Sequence, residues 1–259
     1  GLKYSSVQMI IWVLIAVCVV FTGNVQASVL FYNGPVVTTS GGGAGGADIS
    51  ELQTSLGMSN MGIGCSIADD TWVADDFTVP EVWDIEYISL LTYQTGASGG
   101  STITDVRIRI LDGPPDSGGV VVWGDLTTNR LRNTYGVNAY RVVETLPMNT
   151  DRPLMGVQCD MSVRLSPGSY WVEYQMAGES GWTGSWQPPV TILGSTTTGN
   201  ARHYEFSWSP FLDTGTMTQQ GIPFQIHGET VSGTSLSFDD RNVGDPVETQ
   251  YSGVTFSSD

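Results

Sequence analysis

Lysine is almost missing. Lys3 is the only one in the chain, and ten basic residues face 26 acidic ones for a formal net charge of −16. A nucleic-acid partner is excluded on that ground, because phosphate neutralisation needs a basic face. Histidine is nearly as scarce, with His203 and His227 alone, and the chain has no H-E-x-x-H and no C-x-x-C, so zinc has no recognisable ligand set. The G-x-S-x-G elbow of serine hydrolases is absent too, since the Gly178 to Gly181 stretch reads G-E-S-G. The glycine-rich run SGGGAGGA at residues 40–47 is followed by no lysine, which rules out a phosphate-binding loop. Helix formers are few and charged residues make up only 14%, while 32 glycines and 12 prolines accompany abundant Thr, Ser and Val. That is the composition of a turn-rich β protein.

The longest apolar run covers residues 9–21, behind Lys3. It is shorter than the ~20 residues a bilayer-spanning helix needs. It ends in a polar tail with small residues at Val25 and Ala27, the −3 and −1 pattern of a secretory cleavage site. Residues 1–27 are therefore expected to be a signal peptide that carries Cys18 with it, and the mature chain should start at Ser28 without a membrane span. Export places the two remaining cysteines, Cys65 and Cys159, in an oxidising compartment. A bridge between them would close a loop of ~95 residues and contribute roughly 4–5 kcal/mol in the chain-entropy picture. The alternative is two buried free thiols on separate strands.

Strand signals fill residues 28–228. Residues 72–79 alternate, with Val73, Asp75, Phe77 and Val79 on one face and Trp72, Ala74, Asp76 and Thr78 on the other. Residues 85–93 follow after a Pro80-Glu81 turn and are apolar on both faces, so the two segments read as a hairpin. Residues 28–37 read as a first strand followed by an Asn-Gly-Pro turn, and further strands are expected at 104–111, 120–123, 139–145, 153–165, 169–176, 190–193, 201–208 and 223–227, with a short helix where Ile49, Leu52 and Leu56 share helical spacing. About ten strands with turns between them describe an all-β, jelly-roll-like antiparallel β-sandwich. Residues 229–234 read as a linker, and 235–259 as the truncated start of a second β domain.

The segments FYNGPVVT (31–38), GGGAGGAD (41–48), WVADDFTV (72–79), ITDVRIRILDGPP (103–115), DLTTNRL (125–131), LSPGSYWVEYQ (165–175), TTGNA (197–201) and QGIPFQIHG (220–228) form a recognisable set. Together they resemble uncharacterised bacterial secreted proteins of the kind that often carry a PEP-CTERM-type C-terminal sorting signal. The closing SFDDRNVGDPVETQYSGVTFSS (237–258) resembles the opening of a second extracellular jelly-roll domain. The resemblance implies an extracellular address and this architecture, and it brings no catalytic residues.

Three kinds of site remain as candidates. Trp182 and Trp186 stand four apart among Gly178, Gly181 and Gly184 and, with Trp208 and Tyr204, offer aromatic faces for a sugar ring. Against this stands the reading that the tryptophans plug the ends of the sandwich. Asp112 and Asp116 in one glycine-rich loop, and Asp239 and Asp240 in another, are candidate calcium ligands without EF-hand spacing. The paired acids Asp75 and Asp76 must face opposite ways on a strand, so one of them has to point inward or meet a partner. The expected function is a non-catalytic secreted or cell-surface module in adhesion, surface structure or glycan contact, its partner an extracellular polysaccharide or surface matrix and calcium its one candidate cofactor. The alternative is an accessory, carbohydrate-binding module of an extracellular hydrolase whose catalytic domain lies beyond Asp259.

Overall fold

Alternation decides which side of each strand enters the core. In the computed structural model, which describes residues 27–231, Val73, Asp75, Phe77 and Val79 are buried while Thr78 lies open to solvent. The described residues hold fourteen strands: β1 (Ser28–Asn33), β2 (Asp48–Leu52), β3 (Ile63–Gly64), β4 (Trp72–Val79), β5 (Trp83–Thr95), β6 (Ile103–Leu111), β7 (Val121–Asp125), β8 (Leu131–Val143), β9 (Pro153–Leu165), β10 (Gly168–Gly178), β11 (Thr183–Gln187), β12 (Arg202–Glu205), β13 (Ser207–Pro210) and β14 (Phe224–Thr230). An eight-stranded sheet runs β1-β14-β5-β9-β8-β2, with β11 against β5 and β3 against β11; a six-stranded sheet runs β13-β12-β4-β10-β6-β7. One of the two curls as a half-barrel, and the pairing is mostly antiparallel. Between them lies one main core, to which Ile88, Leu90, Val157 and Cys159 contribute from the first sheet and Val73, Phe77, Ile108, Val172 and Tyr174 from the second. Among the described residues no helix is long and apolar enough to cross a membrane.

Several local expectations change. The segments at 72–79 and 83–95 are not a hairpin, because β4 pairs with β10 and β12 whereas β5 pairs with β14 and β9. The turn at Pro80 carries the chain from one sheet to the other, with Val79 and Trp83 buried on either side of it. The expected helix at residues 48–56 is strand β2, followed by a 3-10 turn at Thr54–Leu56. Its backbone is bound on both sides, parallel to β8 through Asp48 to Leu52 and by Thr38 and Thr39 N–H groups donating to the Ile49 carbonyl. Leu56, which completed the helical spacing, lies on the surface. Residues 131–138 belong to the long strand β8, and residues 190–193 form no strand. Residues 201–208 divide into β12 and β13, a hairpin that turns at Phe206. Strand β14 runs on to Thr230 and so takes in the first two residues of the expected linker. The expected signal peptide, save Ala27, and the expected second domain lie outside the described residues.

Candidate functional site

The core takes one face of the eight-stranded sheet, and the register fixes what stands on the other. Tyr32 on β1 pairs with Gln225 on β14, Gln225 with Ser89 on β5, Ser89 with Gln158 on β9, and Gln158 with Asn133 on β8. Since side chains alternate across a strand, these five form one row on the side opposite Phe31, Ile226, Ile88, Val157 and Cys159. The next row holds Leu91, Gly156 and Tyr135. A Cβ on Gly156 would meet the Tyr135 ring at 2.5 Å, so glycine is what lets that ring lie flat on the sheet. The row on the other side holds Val29, His227, Tyr87 and Asp160.

From these rows Tyr32, Gln225, Ser89 and Gln158, with Leu91, Tyr135 and His227, floor a groove of about 360 Å³, walled on one side by the segment from Gly34 to Val37 and by Pro223. Its lining side chains are aromatic, aliphatic or neutral polar, and none is an acid, a lysine or an arginine. Tyr32 and Tyr135 are 54% and 44% exposed, which leaves ring faces available at both ends. Along the far side Arg132 pairs with Glu86 at 2.7 Å and Asp160 at 3.6 Å and lies 4.7 Å from the centre of the Tyr87 ring, so its guanidinium is engaged by two carboxylates and the flank beside the groove keeps a net negative charge.

His227 stacks on Tyr87 with ring centres 4.3 Å apart, and its Nε2 lies 3.1 Å from Ser89 Oγ. Burial lowers its pKa below the ordinary histidine value, against the pull of Glu86, so the groove stays uncharged at neutral pH. Ser89 sits in the middle of β5, bonded on both sides, so its neighbouring backbone N–H groups are committed to the sheet rather than aimed at an oxyanion. Serine and histidine thus act here as hydrogen-bonding groups of the groove floor.

The sequence-predicted tryptophans are distributed differently. Trp182 packs against the main core, while Trp186 packs against a separate cluster of Val36, Tyr93, Ala139 and Leu154 and donates its Nε1 proton to the Thr183 carbonyl at 3.0 Å. The two indoles therefore rest on different neighbours instead of forming one platform. Tyr204 and Trp208 lie on the outer face of the six-stranded sheet with Trp72, at ring separations of 5.2–6.4 Å, and pack on one another. Arg109 covers Trp72 and Arg202 covers Trp171, with cation-to-ring distances of 5.3 and 5.4 Å. Beneath them Glu173 is fully buried beside Arg109 at 2.8 Å; burial pushes its carboxyl up to about 7, against the opposing pull of that guanidinium.

The candidate calcium loop is occupied by its own contacts. Asp112 Oδ1 accepts the Val120 N–H at 2.7 Å, and Asp116 Oδ2 accepts from Arg202 Nε at 2.7 Å. No group of three or more His, Cys, Asp or Glu side chains among the described residues is placed to hold a metal ion. Asp239 and Asp240 lie outside those residues. The expected bridge is replaced by two free thiols, Cys65 and Cys159, both wholly buried. Cys65 Sγ donates instead to the Tyr174 carbonyl at 3.6 Å, and burial pushes both thiols up, away from the reactive thiolate.

Of the acid pair, Asp75 is the one that turns inward. Its carboxylate accepts from Asn33 Nδ2 at 2.7 Å, the Ile222 N–H at 2.9 Å and the Asp76 N–H at 3.0 Å, tying β4 to the segments that lead out of β1 and into β14. Arg141 is buried as well, donating to the carbonyls of Asn60 and Met61 and the hydroxyls of Ser50 and Thr191. The groove residues themselves escaped the sequence reading. The signal was there in the solvent-side positions of β5, β9 and β14, where Ser89, Leu91, Gln158 and Gln225 stand in place of the charges a plain wet face carries. Comparison with known proteins finds no matching family, curated protein or solved structure.

Proposed function

We propose that this chain is a non-catalytic module of a bacterial extracellular protein, exported through residues 1–27, whose jelly-roll-type sandwich contacts polysaccharide through the groove on its eight-stranded sheet. The observation that carries the reading is the groove itself, a cleft of about 360 Å³ in which exposed tyrosine rings stand beside amide and hydroxyl groups and no charge. A sugar ring has apolar C–H faces and a rim of hydroxyls, and flat aromatics with convergent neutral donors and acceptors match both. Stacking buries apolar area at roughly 25 cal/mol per Å², so one module should bind weakly, at micromolar affinity or poorer.

Affinity electrophoresis of the secreted protein in gels containing β-glucan, xylan, mannan or galactan tests the reading. Retardation in at least one gel is expected, and it should be lost in the double variant Tyr32→Ala/Gln158→Ala and kept in Trp182→Ala. Free migration in all four gels, or retardation that the double variant keeps, would overturn it.

A further inference from the structure

We infer that the groove holds a neutral, extended glycan chain of about four sugar units laid across the strands, from Tyr32 at one end to Tyr135 at the other. This rests on the glycan reading above and fixes the chain's direction, length and charge.

The direction follows from the register. The lining side chains come from five adjacent strands, β1, β14, β5, β9 and β8, with Tyr32, Gln225, Ser89 and Gln158 in a single cross-strand row. A ligand lying along one strand would meet only the residues of that strand, whereas one lying across them meets an amide, a hydroxyl and an amide in succession. Four strand spacings of ~4.8 Å make a row of roughly 19 Å, and an extended pyranose chain advances by about one such spacing per sugar, which gives about four units. A ligand with one hydroxyl-bearing ring per strand spacing fits this repeat.

The donor and acceptor inventory agrees. Gln158 Oε1 accepts from Asn133 Nδ2 at 3.4 Å, which leaves its own amide protons for a ligand oxygen. Ser89 Oγ, held by His227 Nε2, keeps a further hydrogen-bonding direction open. Neutrality follows from what the lining lacks. No arginine or lysine is present to meet a carboxylate or a sulfate, Arg132 is already bound to Glu86 and Asp160, and the whole chain carries −16. An acidic polymer would be repelled before contact.

The experiment is isothermal titration of the secreted protein with oligosaccharides of two to six units cut from whichever neutral polysaccharide retards it, and with polygalacturonate as the acidic probe. Affinity should climb from the dimer by roughly tenfold or more, level off at about four units, and vanish for polygalacturonate. Tyr32→Ala, with circular dichroism confirming the fold, should lower the plateau to about three units and leave the dimer's affinity within about twofold. Equal affinity for dimer and hexamer, an unchanged plateau in Tyr32→Ala, or binding of polygalacturonate would overturn the inference while leaving glycan contact in place. Absence of any retardation in the polysaccharide gels would remove the functional reading itself.

Discussion

Titration of Asp75 should make this protein lose stability as the pH rises from acidic to neutral, the reverse of common acid denaturation. Asp75 is 1% exposed, and burial, opposed by its hydrogen-bond donors, raises its carboxyl from an ordinary 3.8 to about 7. A folded value above the unfolded one means that the folded state holds the proton more tightly. The contribution is then complete below the unfolded value and is lost as the pH climbs to the folded one. Each pH unit inside that window costs about 1.4 kcal/mol, so the whole window amounts to roughly 4 kcal/mol, a large share of a typical domain's stability. Glu173 is shifted the same way and adds to the wild-type slope. Asp75→Asn separates the two. Its amide oxygen can still accept from Asn33 and Ile222, its NH₂ forfeits the Asp76 bond at a cost of about 1 kcal/mol, and the group no longer titrates. Urea unfolding between pH 4.5 and 7.5 should show a wild-type free energy that falls with pH and a variant curve that is flatter. Parallel curves for the two proteins would refute the reasoning, because the charge state of Asp75 would then be the same in both folded and unfolded chains.

Thiol titration of unfolded, unreduced protein lacking residues 1–27 should find Cys65 and Cys159 both free, and native protein should react with neither; a count of zero in denaturant would show a bridge instead. Arg141→Ala should cost about 2–3 kcal/mol in urea unfolding, because it leaves the buried Asn60 and Met61 carbonyls without their donor; a loss below about 1 kcal/mol would mean that water replaces the guanidinium there. Tyr135→Ala should lower stability by about 1 kcal/mol as Gly156 loses its covering ring, and an unchanged midpoint would show that the ring adds nothing to the sheet.

Strand identity was legible where a segment has one wet face. In β6, and in β4 apart from the buried Ala74, the alternation in sequence matches the burial seen in the structure, since period 2 is the geometry of the chain itself, whereas β10 alternates in sequence and is buried on both faces from Trp171 to Met176. The sequence also shows that one of Asp75 and Asp76 must turn inward. It is silent on which strands become neighbours. Strands β4 and β5 adjoin in the chain and pair in different sheets, because each buries its apolar face against the other's sheet instead of bonding to its neighbour edge to edge. Strand β2 and the first half of β8 carry weak patterns, as their backbones are ordered by partners found only in three dimensions. The groove belongs to that second category. Tyr32 and Gln225 stand near opposite ends of the described chain and meet only because β1 closes on β14, and Trp182 and Trp186, only four apart in sequence, end on different clusters. Side-chain period is local and therefore written in the sequence, whereas a ligand face is a row across strands, set by pairing that only the folded tertiary structure decides.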